Sequence, residues 1–207
     1  MKWLLSGGCE PRAKRRALER YLRARRGDFL DLATGTGDVL QWLAENVAFS
    51  SLVGADISDE MVRRIPNNVP ARLVLADLNA LPFRPGTFDV VTAAYALRYT
   101  DPEACLRSVF EILRAGGRLV LFDLANPSRR IARQSWYGVL LAVGTVLGLL
   151  LHGCPTTYWH LVATMRRHPG HKEIVGLLRT AGFARVRVDL ALGGMIAVHV
   201  ADKEDAG

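Results

Sequence analysis

Short, nearly all-apolar runs alternate in this chain with longer runs of helical period, and few folds satisfy that pattern. The strand-like runs FLDLA, SLVGAD, ARLVLAD, FDVVTAAYA and GRLVLFD begin at Phe29, Ser51, Ala71, Phe88 and Gly117. Between them, DVLQWLAEN, SDEMVRRI and DPEACLRSVFEILR repeat apolar residues at three- and four-residue spacing. A strand that is apolar on both faces must be covered on both. Helices inserted between successive strands do this when the strands run parallel. The expectation is therefore an α/β, doubly wound, Rossmann-like sheet. Near the C-terminus, KEIVGLLRTAG reads as a helix. ARVRVDLA and GMIAVHVAD then read as two strands separated only by Leu192 and Gly193, a link that suits antiparallel pairing. The total is about seven strands, mostly parallel, with one antiparallel edge strand. No repeat, linker or composition break divides the chain, so residues 1–207 are expected to form a single domain.

Ahead of the first strand, PRAKRRALERYLRARRG puts Ala13, Ala17, Leu18, Tyr21 and Leu22 on one helical face among arginines, with Gly27 as the expected stop. Asp101 is the expected cap of the helix that opens with Pro102, and Ser58 that of the helix after the second strand. Half of the residues are hydrophobic, enough for a well-filled core without disulfides or metal. Cys9, Cys105 and Cys154 have no CxxC spacing, and no HxxxH or HExxH pair occurs. The apolar run in the opening MKWLLSGGCE is too short for a signal peptide, so the expected location is cytoplasmic. A net charge of +7 suits an anionic partner, yet no aromatic-and-basic module points to nucleic acid.

The turn at Gly35-Thr36-Gly37 joins the first strand directly to a helix, where glycines admit a ligand and helix N–H groups face it. A dinucleotide fingerprint would place a third glycine at Leu40, and it is absent. Asp31 puts a carboxylate just below the turn, which repels pyrophosphate but suits an ammonium. Asp56, 19 residues past Gly37, ends the second strand where a carboxylate accepts ribose hydroxyls. Asp77 ends the third, within reach of an adenine amino group. An amino-acid end, a ribose and an adenine without phosphate describe S-adenosylmethionine.

These segments resemble the class I S-adenosylmethionine-dependent methyltransferases, and among them the C-methyltransferases of menaquinone and ubiquinone biosynthesis. The likeness runs from about Phe29 to Val200 through DLATGTGD, GADIS, ADLNALPF, TFDVVTAAYALR, LRAGGRLVLFD, MRRHP, LLRTAGF and LGGMIAVH. It implies that Asp31, Ala33, Gly35 and Gly37 line the methionine end of the cofactor. It also implies that Asp56 holds the ribose, Ile57 packs on adenine, Asp77 and Leu78 meet its edge, and the Ala94 carbonyl approaches the methionine amino group. Three features differ from the family's usual pattern. Tyr99 stands where an Asn is usual, Asp123 where a Glu is usual, and only about 28 residues precede the first strand.

A ring carbon of a quinol becomes nucleophilic when a neighbouring hydroxyl loses its proton, and a phenol titrates near pH 10. Arg98 is the expected cation for the phenolate, because a guanidinium stays charged. Asp123 is the expected base, with Tyr95 a further catalytic candidate and Tyr99 and His168 pocket lining. Two other readings stay open: an O- or N-methyltransferase of another lipid-like small molecule, and a non-catalytic accessory protein that binds the cofactor. The run WYGVLLAVGTVLGLLL, residues 136–151, has one polar side chain, Thr145. As a helix it spans about 24 Å, against a hydrocarbon core of about 30 Å. It is expected to cover a hydrophobic substrate and touch an anionic membrane beside Arg129, Arg130 and Arg133. The GxxxG of Gly144 and Gly148 could admit a second helix, as in a homodimer.

Overall fold

A computed structural model describes residues 9–124, 130–156, 159, 163, 169–191, 194 and 196–205. His168, Arg129 and the Leu192–Gly193 link lie outside the described residues. The elements in chain order are α1 (Cys9–Leu22), β1 (Arg26–Leu32), α2 (Asp38–Asn46), β2 (Ala48–Asp56), α3 (Asp59–Val62), β3 (Arg72–Leu75) and β4 (Phe88–Ala94). A 3₁₀ turn (Leu97–Tyr99), α4 (Pro102–Ile112), β5 (Leu113–Leu124), α5 (Arg130–His152), α6 (His171–Thr180), β6 (Arg185–Ala191) and β7 (Ile196–Asp202) follow.

One seven-stranded sheet has the order β3-β2-β1-β4-β5-β7-β6. Strands β1 to β5 pair in parallel, and β7 runs antiparallel to both β5 and β6. The antiparallel member thus lies one position in from the edge, which β6 forms. Strand order reverses between β1 and β4, so a crevice opens at their carboxyl ends.

The period-2 alternation of the strands sorts the core. Phe29, Val90, Val120 and Phe122 bury against α1 and α2. Leu30, Leu32, Val91, Leu119 and Leu121 bury against α4 and α6 on the other face. Ala17, Leu18, Tyr21 and Leu22 are the buried stripe of α1, as their spacing predicts, whereas Ala13 at its start is only half-buried. Asp101 caps α4 by accepting Glu103 N–H at 3.0 Å, and Ser58 caps α3 by accepting Met61 N–H at 3.3 Å.

Several boundaries differ from the sequence reading, each for a physical reason. Helix α1 stops at Leu22, and Gly27 belongs to β1, at a register shift in its pairing with β2. Helix α4 ends at Ile112, because Leu113 already pairs with Phe88 in the sheet. Strand β3 is only four residues long, so Asp77 lies two residues beyond it. Helix α5 extends residues 136–151 to 23 residues, about 34 Å, through a charged first turn. Among the described residues no helix is long and apolar enough to cross a membrane.

Gly27 is the glycine that the sheet demands most clearly. Its φ is +109°, and a Cβ there would overlap Asp89 Oδ2. Asp89 cannot easily leave, because it accepts Asp28 N–H at 2.7 Å and pairs with Arg114 at 2.5 Å. Gly27→Ala should therefore lower the unfolding free energy by roughly 2 kcal/mol. Urea denaturation measures this, and an unshifted midpoint would refute the packing argument.

Candidate active site

The turn after β1 is built from left-handed backbone. Ala33 (φ +49°), Gly35 (φ +57°) and Gly37 (φ +84°) reverse the chain within five residues. Thr34 N–H donates to Ala55 O at 3.1 Å and Gly37 N–H to Thr34 O at 2.9 Å, which ties the turn to β2 and closes it. A side chain at Gly37 would crowd Ile65, whereas one at Gly35 would meet only Ala33 O at 3.9 Å. The Gly35 side of the turn is thus open for close approach of a ligand.

Beneath the turn lies Asp31, fully buried on the Phe29 face of β1. Thr92 stands opposite it in the β1–β4 register and donates its hydroxyl at 2.6 Å. Thr34 donates to the other carboxylate oxygen, also at 2.6 Å. Burial is the dominant influence on Asp31 and pushes its pKa up to about 6, against the opposing pull of the two hydroxyls and of Lys14.

Asp56 stands at the end of β2. Its Oδ2 accepts Gly35 N–H at 2.8 Å and its Oδ1 accepts Ser58 N–H at 2.9 Å. The carboxylate is thereby fixed across the crevice, with each oxygen retaining capacity for a further donor. Beside it Ile57 is 70% exposed, an apolar surface at the place where a flat ring would stack. Asp77 Oδ1 accepts both the N–H and the side-chain amide of Asn79, whose own Oδ1 accepts Thr100 Oγ at 2.6 Å. Leu78 packs on the core next to it. Ala94 is the last residue of β4.

The catalytic candidates gather at the ends of β4 and β5. Tyr95 adopts φ +59°, rare for a residue with a side chain, and its N–H donates to Phe122 O at 2.7 Å. That kink turns Arg98 inward. Its guanidinium lies 3.7 Å from Asp123 Oδ1, both side chains being buried, and within 5.4 and 5.6 Å of the Tyr95 and Tyr99 ring centres. Arg98 Nε has no hydrogen-bond partner among the described residues. Tyr99 itself is 71% exposed.

The sequence reading missed three side chains that the fold brings here. Thr34 and Thr92 could have been found only through register. Lys14 left a signal, because it extends the Ala17, Leu18, Tyr21 stripe one turn toward the N-terminus yet is only 8% exposed.

Opposing carboxylates at the ends of β1 and β2, a glycine-rich turn without a third glycine and this strand order define an S-adenosylmethionine-dependent methyltransferase. The residues present fit that cofactor. Asp56 has acceptor capacity for two hydroxyls, Ile57 offers an apolar face, and the Gly35 side of the turn is open.

The chain belongs to the ubiE/COQ5 methyltransferase family, which it matches over residues 2–203. It is 34% identical to the ubiquinone/menaquinone biosynthesis C-methyltransferase UbiE of Azotobacter vinelandii, over 96% of this chain and 82% of that protein. It is 33% identical to the demethylmenaquinone methyltransferase of Thermus thermophilus, over 97% of this chain and 93% of the relative. A solved SAM-dependent methyltransferase of Thermotoga maritima, described as a possible histamine N-methyltransferase, shares the fold with a TM-score of 0.69. Its identity is 17%, with 98% of this chain and 93% of that one covered.

Asp31 generates a prediction with a definite sign. Its folded pKa of about 6 lies above the ordinary value of 3.8, so the unfolded chain loses the proton first as pH rises. Stability of the ligand-free protein should fall between about pH 4 and 6, and the full cost, roughly 3 kcal/mol, should persist above that. Asp31→Asn removes this cost. The variant should melt above the wild type at pH 7.5, with the difference shrinking toward pH 4.5, and should bind the cationic cofactor more weakly. Parallel melting curves across that range would exclude a strained carboxylate.

Proposed function

We propose that this chain, acting as one methyltransferase domain, moves a methyl group from S-adenosylmethionine to a ring carbon of a prenylated quinol or related phenol. The buried Arg98–Asp123 pair, at the same carboxyl end of the sheet as the cofactor turn and with an apolar helix next in the chain, carries this reading. The names of the family's relatives supply the substrate class.

Bound S-adenosylmethionine supplies an electrophilic methyl on sulfur. The remaining tasks fall to side chains of this chain. Asp31 and the turn seat the amino-acid end, and Asp56 fixes the ribose. Arg98 receives the phenolate oxygen of the substrate, which lowers the cost of removing its proton. Asp123 takes that proton directly or through water. Methyl transfer to the ring carbon would break the carbon–sulfur bond of the bound cofactor and release S-adenosylhomocysteine. The same carbon would then give up its hydrogen as a proton to solvent, and aromaticity would return. Burial of the pair keeps bulk water away and strengthens its field.

The direct test is incubation with methyl-labelled cofactor and a demethylated prenyl quinol, with mass spectrometry of the product. Label on a ring carbon supports the reading, and label on oxygen or no label refutes it. Arg98→Gln should lower turnover on the order of a hundredfold while leaving cofactor affinity nearly intact. For Asp123→Asn the loss should ease at high pH, where the phenol ionises unaided. Unchanged turnover in either variant removes that residue from the mechanism.

The exterior of α5 supports a membrane-surface location. Val139, Val143, Val146, Leu149 and Leu150 are exposed along it, Leu150 by 74%, and Trp159 is exposed nearby. One glycine of the GxxxG is already used within the chain: a Cβ at Gly148 would collide with the Cys154 carbonyl of the following turn. A membrane therefore fits this face better than a second copy. Vesicles containing anionic lipid should co-sediment the protein, high salt should release only part of it, and Leu149→Glu or Leu150→Glu should release more. No binding at low salt would refute the surface role.

A further inference from the structure

The amino-acid end of S-adenosylmethionine carries two opposite charges, an ammonium and a carboxylate, next to the sulfonium. Asp31 answers the cations. A group for the carboxylate has to come from elsewhere, and α1 supplies one.

Lys14 precedes Ala17, Leu18 and Tyr21 by three, four and seven residues, the spacing of one helical face. The three apolar members of that face bury in the core. Lys14 is drawn in with them and is itself nine-tenths buried. The other cations of α1, Arg12, Arg15, Arg16 and Arg20, are exposed. A buried ammonium costs free energy unless anions surround it, and the surroundings of Lys14 fix where it lies. Its Nζ is 3.9 Å from Asp38 Oδ2 and 6.0 Å from the centre of the Tyr95 ring. Its charge is also among the influences that lower the pKa of Asp31. These landmarks are the end of β1, the first residue of α2 and the kink after β4. Together they frame the crevice where strand order reverses.

The contact with Asp38 is an ion pair longer than a hydrogen bond, and the Asp38 side chain is 69% exposed. At the same spot the N-cap of α2 is Gly37, which offers no side-chain cap, so the positive end of the helix dipole adds to the field of Lys14. Both influences favour an anion there.

We propose that Lys14 holds the carboxylate of bound S-adenosylmethionine, so that helix α1 forms part of the cofactor site. The proposal rests on the cofactor reading above. It explains why a lysine occupies a core-facing position of an otherwise apolar stripe. It also makes the cofactor a link between α1 and the β1 turn.

Decarboxylated S-adenosylmethionine provides the test, because it keeps the amine, the sulfonium and the nucleoside but lacks the carboxylate. By calorimetry the wild type should bind S-adenosylmethionine roughly ten- to a hundredfold more tightly than the decarboxylated compound. Lys14→Met should lose that preference, weakening S-adenosylmethionine by a similar factor and the decarboxylated compound little. Lys14→Arg should keep most of it. Any effect of the substitution on Asp31 or on folding touches both ligands alike and cancels in the ratio. Equal weakening of both ligands, or unchanged affinity for S-adenosylmethionine in Lys14→Met, would overturn the assignment while leaving the cofactor reading standing. Failure of the wild type to bind either compound would overturn both.

Discussion

A carboxylate without solvent at the centre of the sheet is the constraint on which this site depends. β1 lies between β2 and β4, and Asp31 near its carboxyl end is fully buried. An anion there is tolerated only with donors close by, and its two hydroxyl donors come from different directions. Thr92 is delivered by β-sheet register alone. Thr34 is delivered by the turn, whose left-handed residues fold the chain back so that a side chain three positions on meets its own strand. The geometry of the turn and the ionisation of Asp31 are therefore one problem. Two hydroxyls do not fully offset the burial, so the ligand-free fold carries a strained anion. A cationic ligand above the turn would relieve that strain and convert stability lost by the apo protein into affinity.

The opposite end of the sheet shows how this chain treats charges that have no ligand to meet. There Arg114 bridges Asp28 and Asp89, and Arg118 takes Asp202 with two nitrogens while also donating to Tyr21 O. Lys203 donates to Phe110 O and Leu113 O. A cleft of about 310 Å³ lies at this end, lined by Arg25, Arg118, Asp202 and Lys203 among others. Its charges already answer one another, so it is read as structural. At the carboxyl end, by contrast, Asp56 and Asp77 accept backbone or amide N–H groups and pair with no cation among the described residues. Acceptors held in place by the backbone, with capacity left over, suit a ligand rich in hydroxyl and amino groups.

The alternation of apolar and amphipathic runs was enough to place every parallel strand: the inner strands must be covered on both faces, and the edge strand β3 shares their apolar pattern although Leu73 and Leu75 stay exposed. The positions of Asp31 and Asp56 followed from the same argument, since strand ends and turns are where glycines and carboxylates leave their mark. What stayed hidden depended on contacts between distant residues. That Gly27 belongs to a strand is decided by its pairing with Phe49, 22 positions away, and that it must be glycine by Asp89, 62 positions away. The inward turn of Arg98 is set by a left-handed Tyr95 that no propensity would assign. The extension of β5 back to Leu113 arises from pairing with Phe88. The burial of Lys14 could have been read from its spacing, had the apolar stripe been extended through a charged residue.

Helix α5 raises a different physical question, because few of its described residues are buried. Its described core contact is a small cluster in which Tyr137 is packed by Leu124, Trp136 and Leu140. Leu124 immediately follows Asp123, so the apolar surface begins beside the Arg98–Asp123 ion pair and continues outward along the exposed valines and leucines. For a prenylated substrate this continuity matters. Drawing one five-carbon unit out of a bilayer into water costs about 4 kcal/mol, at about 0.8 kcal/mol per carbon. A tail of several units would hold the ring at the membrane more firmly than any active site could pull it away. An enzyme acting on such a molecule must reach the ring while the tail stays in an apolar medium. If α5 lies on a membrane surface, as proposed above, its apolar exterior would meet that requirement, and the exposure that is costly in water would be the feature that brings the polar head of such a substrate toward Arg98.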